Sequence, residues 1–425
     1  MKKALFAFSF VLLAAIACDK NNNDEPSPEP QDTTKFNLET VAENANGDFT
    51  FNIVKQLNAA ADGNFLLSPI SVQMAFALLA NGADGNSRQQ ILDAFGYSSI
   101  DKLNSDCQNV ILDWKKLNED YVRQNSELSE FGVNNYQQTI ETANAIWADR
   151  CFPLFSEYTE LCKKYFDAEA ATLNYANVDS TLAVMNGWCN QKTHGMIPKM
   201  LNEDDIDDDA IAILANALYF RADWNFPFEE DATQKADFTD GANAVSQVDM
   251  MWQQEDFKYV RTENFAMAEL PYSGSTCMDI ILPGSDISVN QCVEQLSQTR
   301  FDAAIEKMSL KKLNLHLPKF ELNFNHNLVD IMKQLGVVDV FSPVTADLSK
   351  MGSGHPNAHV NDAFQLSRIS VDESGTEAAA VTVIEVKDGI SLDIPIEFNV
   401  NHPFAYIIRD KQTGVILFVG KVEKL

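Results

Sequence analysis

Residues 372–395 read DESGTEAAAVTVIEVKDGISLDIP. The pair Ser374-Gly375 opens a run from Thr376 to Val386 that holds no proline and no glycine, only small and β-branched side chains and two glutamates. Taken every second residue, one face is Thr376, Ala378, Ala380, Thr382, Ile384 and Val386, without a charge, and the other carries Glu377, Glu385 and Lys387. Successive side chains of a strand point to opposite faces, so this run suits a strand with one buried and one wetted side. A permanent strand and a segment that becomes a strand later require the same alternation.

Working outward, residues 210–224, AIAILANALYFRADW, form an apolar run long enough to cross the centre of a sheet, and ETANAIWAD (141–149) reads as another buried strand. Residues 37–61 carry Val41, Ala45, Phe49, Ile53, Val54 and Leu57 at helical spacing. Asn64–Leu67 is a short strand candidate. Ser68-Pro69 starts a helix that is apolar all round and ends at Asn81-Gly82, the pattern of a buried helix. Ser87 is expected to cap a helix closed by Gly96, and helices are expected over 153–166, 178–195 and 328–335. After Trp224 the strand-like runs FKYV, MAELPY, CMDIILP and LNLHLPKFELNF follow, and the chain closes with HPFAYIIRD and VILFVGKVEKL about the turn 411–414. No Pro/Gly-rich linker divides 36–425, which predicts a single α+β domain.

Ahead of that domain, Lys2-Lys3, an apolar run over 4–17 and Cys18 predict an export signal, since 14 residues are too short to span a bilayer. Ala15-Ile16-Ala17 before the cysteine resembles a bacterial lipoprotein cleavage box, which would make Cys18 the lipidated first residue. A plain secretory signal cut nearby is the alternative. Residues 19–35, DKNNNDEPSPEPQDTTK, hold no large apolar side chain. They are expected to form a disordered tether reaching on the order of 40–50 Å. The product is expected to be exported and lipid-anchored at the outer membrane or cell surface, and to meet the membrane only through that anchor.

The 425 residues are 45% hydrophobic and carry a formal net charge of −29. Basic residues come at most as pairs such as Lys163-Lys164 and Lys311-Lys312, which excludes a general nucleic-acid binder. Cys107, Cys151, Cys162, Cys189, Cys277 and Cys292 show no metal-type spacing and are expected to be buried free thiols. No G-x-S-x-G, H-E-x-x-H, P-loop or dinucleotide turn is present, so no catalytic activity is expected. His355 and His359 in HPNAH are better read as a surface loop than as ligands, because Pro356 and Asn357 oppose the helix that would align them. The acidic run 202–210 lacks the glycine and terminal glutamate of an EF-hand and reads as a solvated connection.

Several separated blocks together resemble the serpin family of serine protease inhibitors. They are NFLLSPISVQMAFALLANGADGNSRQQIL, MNGWCNQKTHGMI, NALYFRADW, MAELPY with IILPG, LPKFEL, DESGTEAAAVT, and HPFAYIIRD with FVGKV, in order across 36–425. The resemblance implies a fold of three β-sheets and about nine helices with an exposed reactive-centre loop. It implies a suicide-substrate inhibitor: a target serine or cysteine protease cuts the loop, is held as an acyl-enzyme, and is carried away as the loop enters the main sheet. The uncut hinge is then expected to lie outside that sheet. A non-inhibitory binding or chaperone module on the same fold is the alternative.

Residue by residue, the resemblance implies a hinge of Glu373, Ser374, Gly375, Thr376, Glu377, Ala378, Ala379, Ala380, Val381 and Thr382. Beneath the parting sheet it implies a cluster of Ser68, Ser71 and Asn216, with Gln365 in place of the usual histidine. Trp224, Lys319 and Glu373 match the point where insertion begins, with a Lys319–Glu373 ion pair. Spacing from Glu373 and from Phe398–Phe404 places the scissile bond at Gly389-Ile390; Lys387-Asp388 and Ile390-Ser391 are rivals. Residues 101–125 mix acids and bases without a basic face, so no polyanion cofactor is expected, and a monomer is.

Overall fold

The structure is a computed structural model and describes residues 49–61, 63–129, 138–206, 210–376 and 394–425. Cys18, the tether, Glu377–Thr382 of the hinge, and Lys387, Asp388, Gly389, Ile390 and Ser391 lie outside the described residues.

One six-stranded sheet is ordered β10 (Phe320–Asn327), β11 (Val360–Val371), β12 (Gly375–Thr376), β4 (Ala212–Asp223), β2 (Gln138–Asp149) and β3 (Glu169–Leu173). A nine-stranded network runs β1 (Phe65–Leu67), β15 (Ile416–Val422), β14 (Phe404–Asp410), β8 (Thr276–Pro283), β7 (Phe265–Pro271), β6 (Val245–Arg261), β9 (Ser309–Pro318) and β13 (Ile396–Asn399), with β5 (Gln234–Thr239) also on β6. The 17-residue β6 joins two regions of this network: one stretch pairs with β5 and β9, the other with β7 and β9. The helices among the described residues are α1 (Phe49–Ala60), α2 (Pro69–Gly82), α3 (Gly85–Ala94), α4 (Ile100–Ser129), α5 (Ser156–Phe166), α6 (Val178–Lys192), α7 (Val289–Gln295), α8 (Gln298–Lys307) and α9 (Val329–Gln334).

The apolar patterns explain the layers. Every residue of α2 is buried, as its all-round apolar sequence requires, and the helix packs against β4 and β2 on one side and β15 on the other. The opposite face of β2 and β4 is covered by α6, where Trp147 meets Trp188 edge-on at 5.3 Å in a second core with Met185, Ile213, Ala215 and Ala217. Burial on both faces is why residues 210–224 are apolar without alternation.

Two expectations need correction. Ser87 is not a cap: α3 starts two residues earlier, after Asp84, and the buried Ser87 hydroxyl instead accepts from the Asp347 N–H at 2.9 Å. All six cysteines after Cys18 are free, but Cys151 is exposed, because it sits in the turn after β2 rather than on an apolar face.

Candidate functional site

β11 and β4 pair in parallel only over part of their length, from Val360 opposite Ala212 to Leu366 opposite Ala217. No ladder pairing joins 367–370 to 218–221 among the described residues, and above them the top is closed by β12, with Thr376 opposite both Val371 and Ala222. The two strands therefore flank a slot. Polar atoms on its lining strands are left over: the Ser367 hydroxyl and Arg221 Nε are buried without a hydrogen-bond partner among the described residues. Buried polar groups are normally satisfied, and such an exception calls for a reason.

The top of the slot already holds the hinge. Gly375 lies so close to β4 that a Cβ there would collide with the Ala222 carbonyl oxygen, so only glycine permits this approach. Thr376 is 1% exposed and shares a 2.6 Å hydrogen bond with the Tyr272 hydroxyl. The expectation that the uncut hinge sits outside the sheet is thus corrected for Gly375 and Thr376. Thr376 is small enough to enter, and its hydroxyl finds a buried partner.

Three anchors hold this entry point. Lys319 Nζ lies 2.7 Å from Glu373 Oε2, and the Thr233 hydroxyl donates to the other carboxylate oxygen at 2.7 Å. Burial pushes the Glu373 carboxyl up, but the hydrogen bonds from Lys319 and Thr233 outweigh it and hold the group below its ordinary range. The Lys319 ammonium is pushed up by its hydrogen bond to Glu373. The Trp224 indole N–H donates to the Asp372 carbonyl at 3.0 Å, its backbone N–H to Ser374 O at 2.8 Å, and its ring stacks on Tyr272 at 4.4 Å and 6°. The structure brings Trp224, Lys319 and Glu373 together at the top of the slot.

The profile of the serpin family, described as serine protease inhibitor, matches residues 44–425. This chain is a serpin. Among curated relatives it is 31% identical to Iripin-5 of Ixodes ricinus, over 90% of this chain and 94% of that protein. It is 29% identical to a leukocyte elastase inhibitor of Xenopus tropicalis, over 88% and 96%. Among solved structures it resembles the native state of the thermophilic serpin Tengpin, with a TM-score of 0.78 at 29% identity, over 94% of this chain and 97% of that one. The described architecture is accordingly the α+β serpin fold.

Below the slot, this serpin ties α2 to both flanking strands. Ser71 Oγ donates to Asn216 Oδ1 at 2.5 Å, and Asn216 Nδ2 donates to Asn144 Oδ1 at 2.8 Å. Gln365 Nε2 donates to Ser68 O at 2.8 Å while its Oε1 accepts from Ser68 N at 3.0 Å. The primary amide replaces a histidine by pairing with one backbone donor and one backbone acceptor at once. Ser68, Ser71, Asn216 and Gln365 are all buried, and Gln365 lies opposite Asn216 in the ladder. Gln365→Ala is expected to leave the buried Ser68 N–H unpaired, while the Ser68 carbonyl keeps the Val72 N–H at 3.1 Å, destabilising the uncut fold by about 1–3 kcal/mol. Urea unfolding would show this as a lower midpoint at an unchanged slope.

Sequence reasoning passed over Tyr272, Thr233 and Asn144. Tyr272 alone carried a signal, as the final residue of MAELPY; the other two act through partners far away in the chain.

Proposed function

We propose that this serpin is an exported, lipid-anchored suicide-substrate inhibitor of a serine or cysteine protease. The carrying observation is register. Continuing the antiparallel pairing of Thr376 with Ala222 and Val371 would set Ala380 between Leu218 and Ser367, Thr382 between Asn216 and Gln365, and Val386 between Ala212 and Asn361. Each inward residue of this run is uncharged, and the paired stretch of β4 and β11 that would have to part ends, at Ala212 and Val360, where the run's small and β-branched residues end.

The protease nucleophile attacks the carbonyl of the residue before the cut, placed at Gly389-Ile390, and forms an acyl-enzyme as the new amine leaves. Freed at that end, the loop enters between β4 and β11 and carries the acyl-linked protease, an ester for a serine nucleophile and a thioester for a cysteine, about 14 residues at roughly 3.3 Å each, on the order of 45 Å. Deacylation needs reacting groups held in near-attack geometry. Crushing the enzyme against the far end of the sheet removes that geometry. The uncut state is a kinetic trap whose unused strand supplies the driving force.

The test is incubation of the mature protein with a panel of serine and cysteine proteases, followed by denaturing electrophoresis and mass measurement of the released C-terminal peptide. A denaturant-stable complex with a peptide starting at Ile390 supports the reading. Quantitative cutting without a complex rejects it in favour of a non-inhibitory module. For the anchor, Cys18→Ser should yield a folded protein without lipid, released from the membrane; a membrane-retained, lipid-labelled variant would sink the lipoprotein reading.

A further inference from the structure

Arg221 sits on β4 one residue below the seated hinge, and its unpaired nitrogen has a use there. Leu218, Phe220 and Ala222 of this strand join the core on the α2 side of the sheet, while Ile213, Ala215 and Ala217 join the core under α6. Successive side chains alternate, so Arg221 points to the α6 side. It is half-buried, its Nε is closed to solvent, and no ion pair or side-chain hydrogen bond engages it among the described residues.

The charged neighbours on this side of the sheet are already engaged. On β2, Thr139 stands opposite Arg221 and Glu141 opposite Tyr219, and Glu141 lies 2.7 Å from His194 Nε2. Across the slot, Glu321 lies 2.7 Å from the Arg368 guanidinium, which also donates to the Met196 carbonyl at 2.5 Å. Arg221 is thus left as a cation with a donor to spare, beside a strand position that is unfilled below Thr376. A donor closed off without a partner is costly, and a partner that arrives later recovers that cost.

We propose that Arg221 is the receiving cation for Glu377, the first residue of the loop segment beyond the described hinge, and that their ion pair latches the first new step of insertion. Thr376 stands opposite Ala222 and Val371, so continuing the same antiparallel register sets residue 377 opposite Arg221 on β4 and Ser370 on β11. Directly opposed residues have Cβ atoms about 4.5–5.5 Å apart on one face, a separation that glutamate and arginine side chains bridge. Asp223 follows Arg221 on the same face of β4, so a glutamate at 377 without the guanidinium would meet a like charge on the diagonal.

The inference rests on the inhibitory reading above, and it gives the outward face of the loop a part in it. The run carries a second outward acid, Glu385, which the same register sets between Ile213 and Asp362, where no cation stands opposite. Glu377 alone meets an arginine, and it does so at the start of entry, when few new backbone bonds have formed. The pair therefore acts on the rate of insertion, which is the rate that competes with deacylation. The inward face of the run lets the strand in, and the outward Glu377 holds its first step.

The test is a double-mutant cycle on the full mature chain, cut in the loop by one protease, with the rate at which heat resistance appears as the readout. Arg221→Met and Glu377→Gln should each slow that gain about tenfold. The double variant should be no slower than either single one, and the exchanged pair Arg221→Glu with Glu377→Arg should return to within about threefold of wild type. The thermal midpoint of the uncut Arg221→Met chain should be unchanged or raised, because the nitrogen removed bonds nothing there; a lowered midpoint would make Arg221 a structural residue of the uncut fold and overturn the proposal. A wild-type rate in Arg221→Met, or single effects that multiply in the double variant, also overturns it. If the cut wild type itself gains no heat resistance, it is the insertion reading that has failed.

Discussion

Under the proposed trapping mechanism, Thr376→Arg is expected to make this serpin a plain substrate. Because Thr376 is already buried against Tyr272, the substitution acts before any protease arrives. An arginine cannot be housed under the sheet without a partner, so Gly375 and residue 376 leave the slot. The uncut fold then loses only a two-residue pairing and one side-chain hydrogen bond, about 1–2 kcal/mol. Re-entry after the cut is far harder, since an unpaired buried charge costs several kcal/mol even after relaxation. Each 1.4 kcal/mol on the insertion barrier is a factor of ten in rate, so insertion should slow by roughly 100-fold or more and deacylation should win. Electrophoresis with a susceptible protease should show the same cleavage bond as wild type but free, active enzyme. Thr376→Ala, which keeps the small uncharged side chain, should still trap. Wild-type stoichiometry of the covalent complex in Thr376→Arg would mean that insertion through this point is not the inhibitory step.

Cleavage of the loop anywhere between Glu385 and Leu392 should raise the thermal midpoint by roughly 10–20 °C. Run in register, the segment from residue 377 to Val386 would gain pairing on both edges, against the loss of the parallel ladder from Val360–Leu366 to Ala212–Ala217. A net gain of roughly ten hydrogen bonds at about 1 kcal/mol each, spread over a domain of this size, gives that shift. Differential scanning of cut and uncut protein measures it. An unchanged midpoint would point to the non-inhibitory module instead.

The two strands that flank the slot were unequally legible. β4 stood out because both its faces are buried, so its sequence is apolar on both faces but for Asn216, Arg221 and Asp223. β11 was not singled out, since Asp362, Gln365 and Arg368 break any alternation. Their partners, Asn327, Ser68 and Glu321, come from other elements and leave no trace in the local pattern. Helices α7 and α8 were likewise passed over: at 7 and 10 residues they are short, and their Ser288 and Ser297 caps show their role only once the following N–H groups are in place. The Lys319–Glu373 pair followed from resemblance, while Thr233 and Tyr272, which complete the same anchor, became visible only in three dimensions.

By itself the sequence determined the buried helix α2, the central strand β4, the family, and an uncharged alternating face able to enter a sheet. These depend on composition and period, which local chain geometry alone translates into structure. Only the tertiary structure decided where that face begins to enter. The seating of Gly375 and Thr376 is set by the clearance to the Ala222 carbonyl and by the Tyr272 hydroxyl, contacts between residues over 100 positions apart that no local pattern encodes.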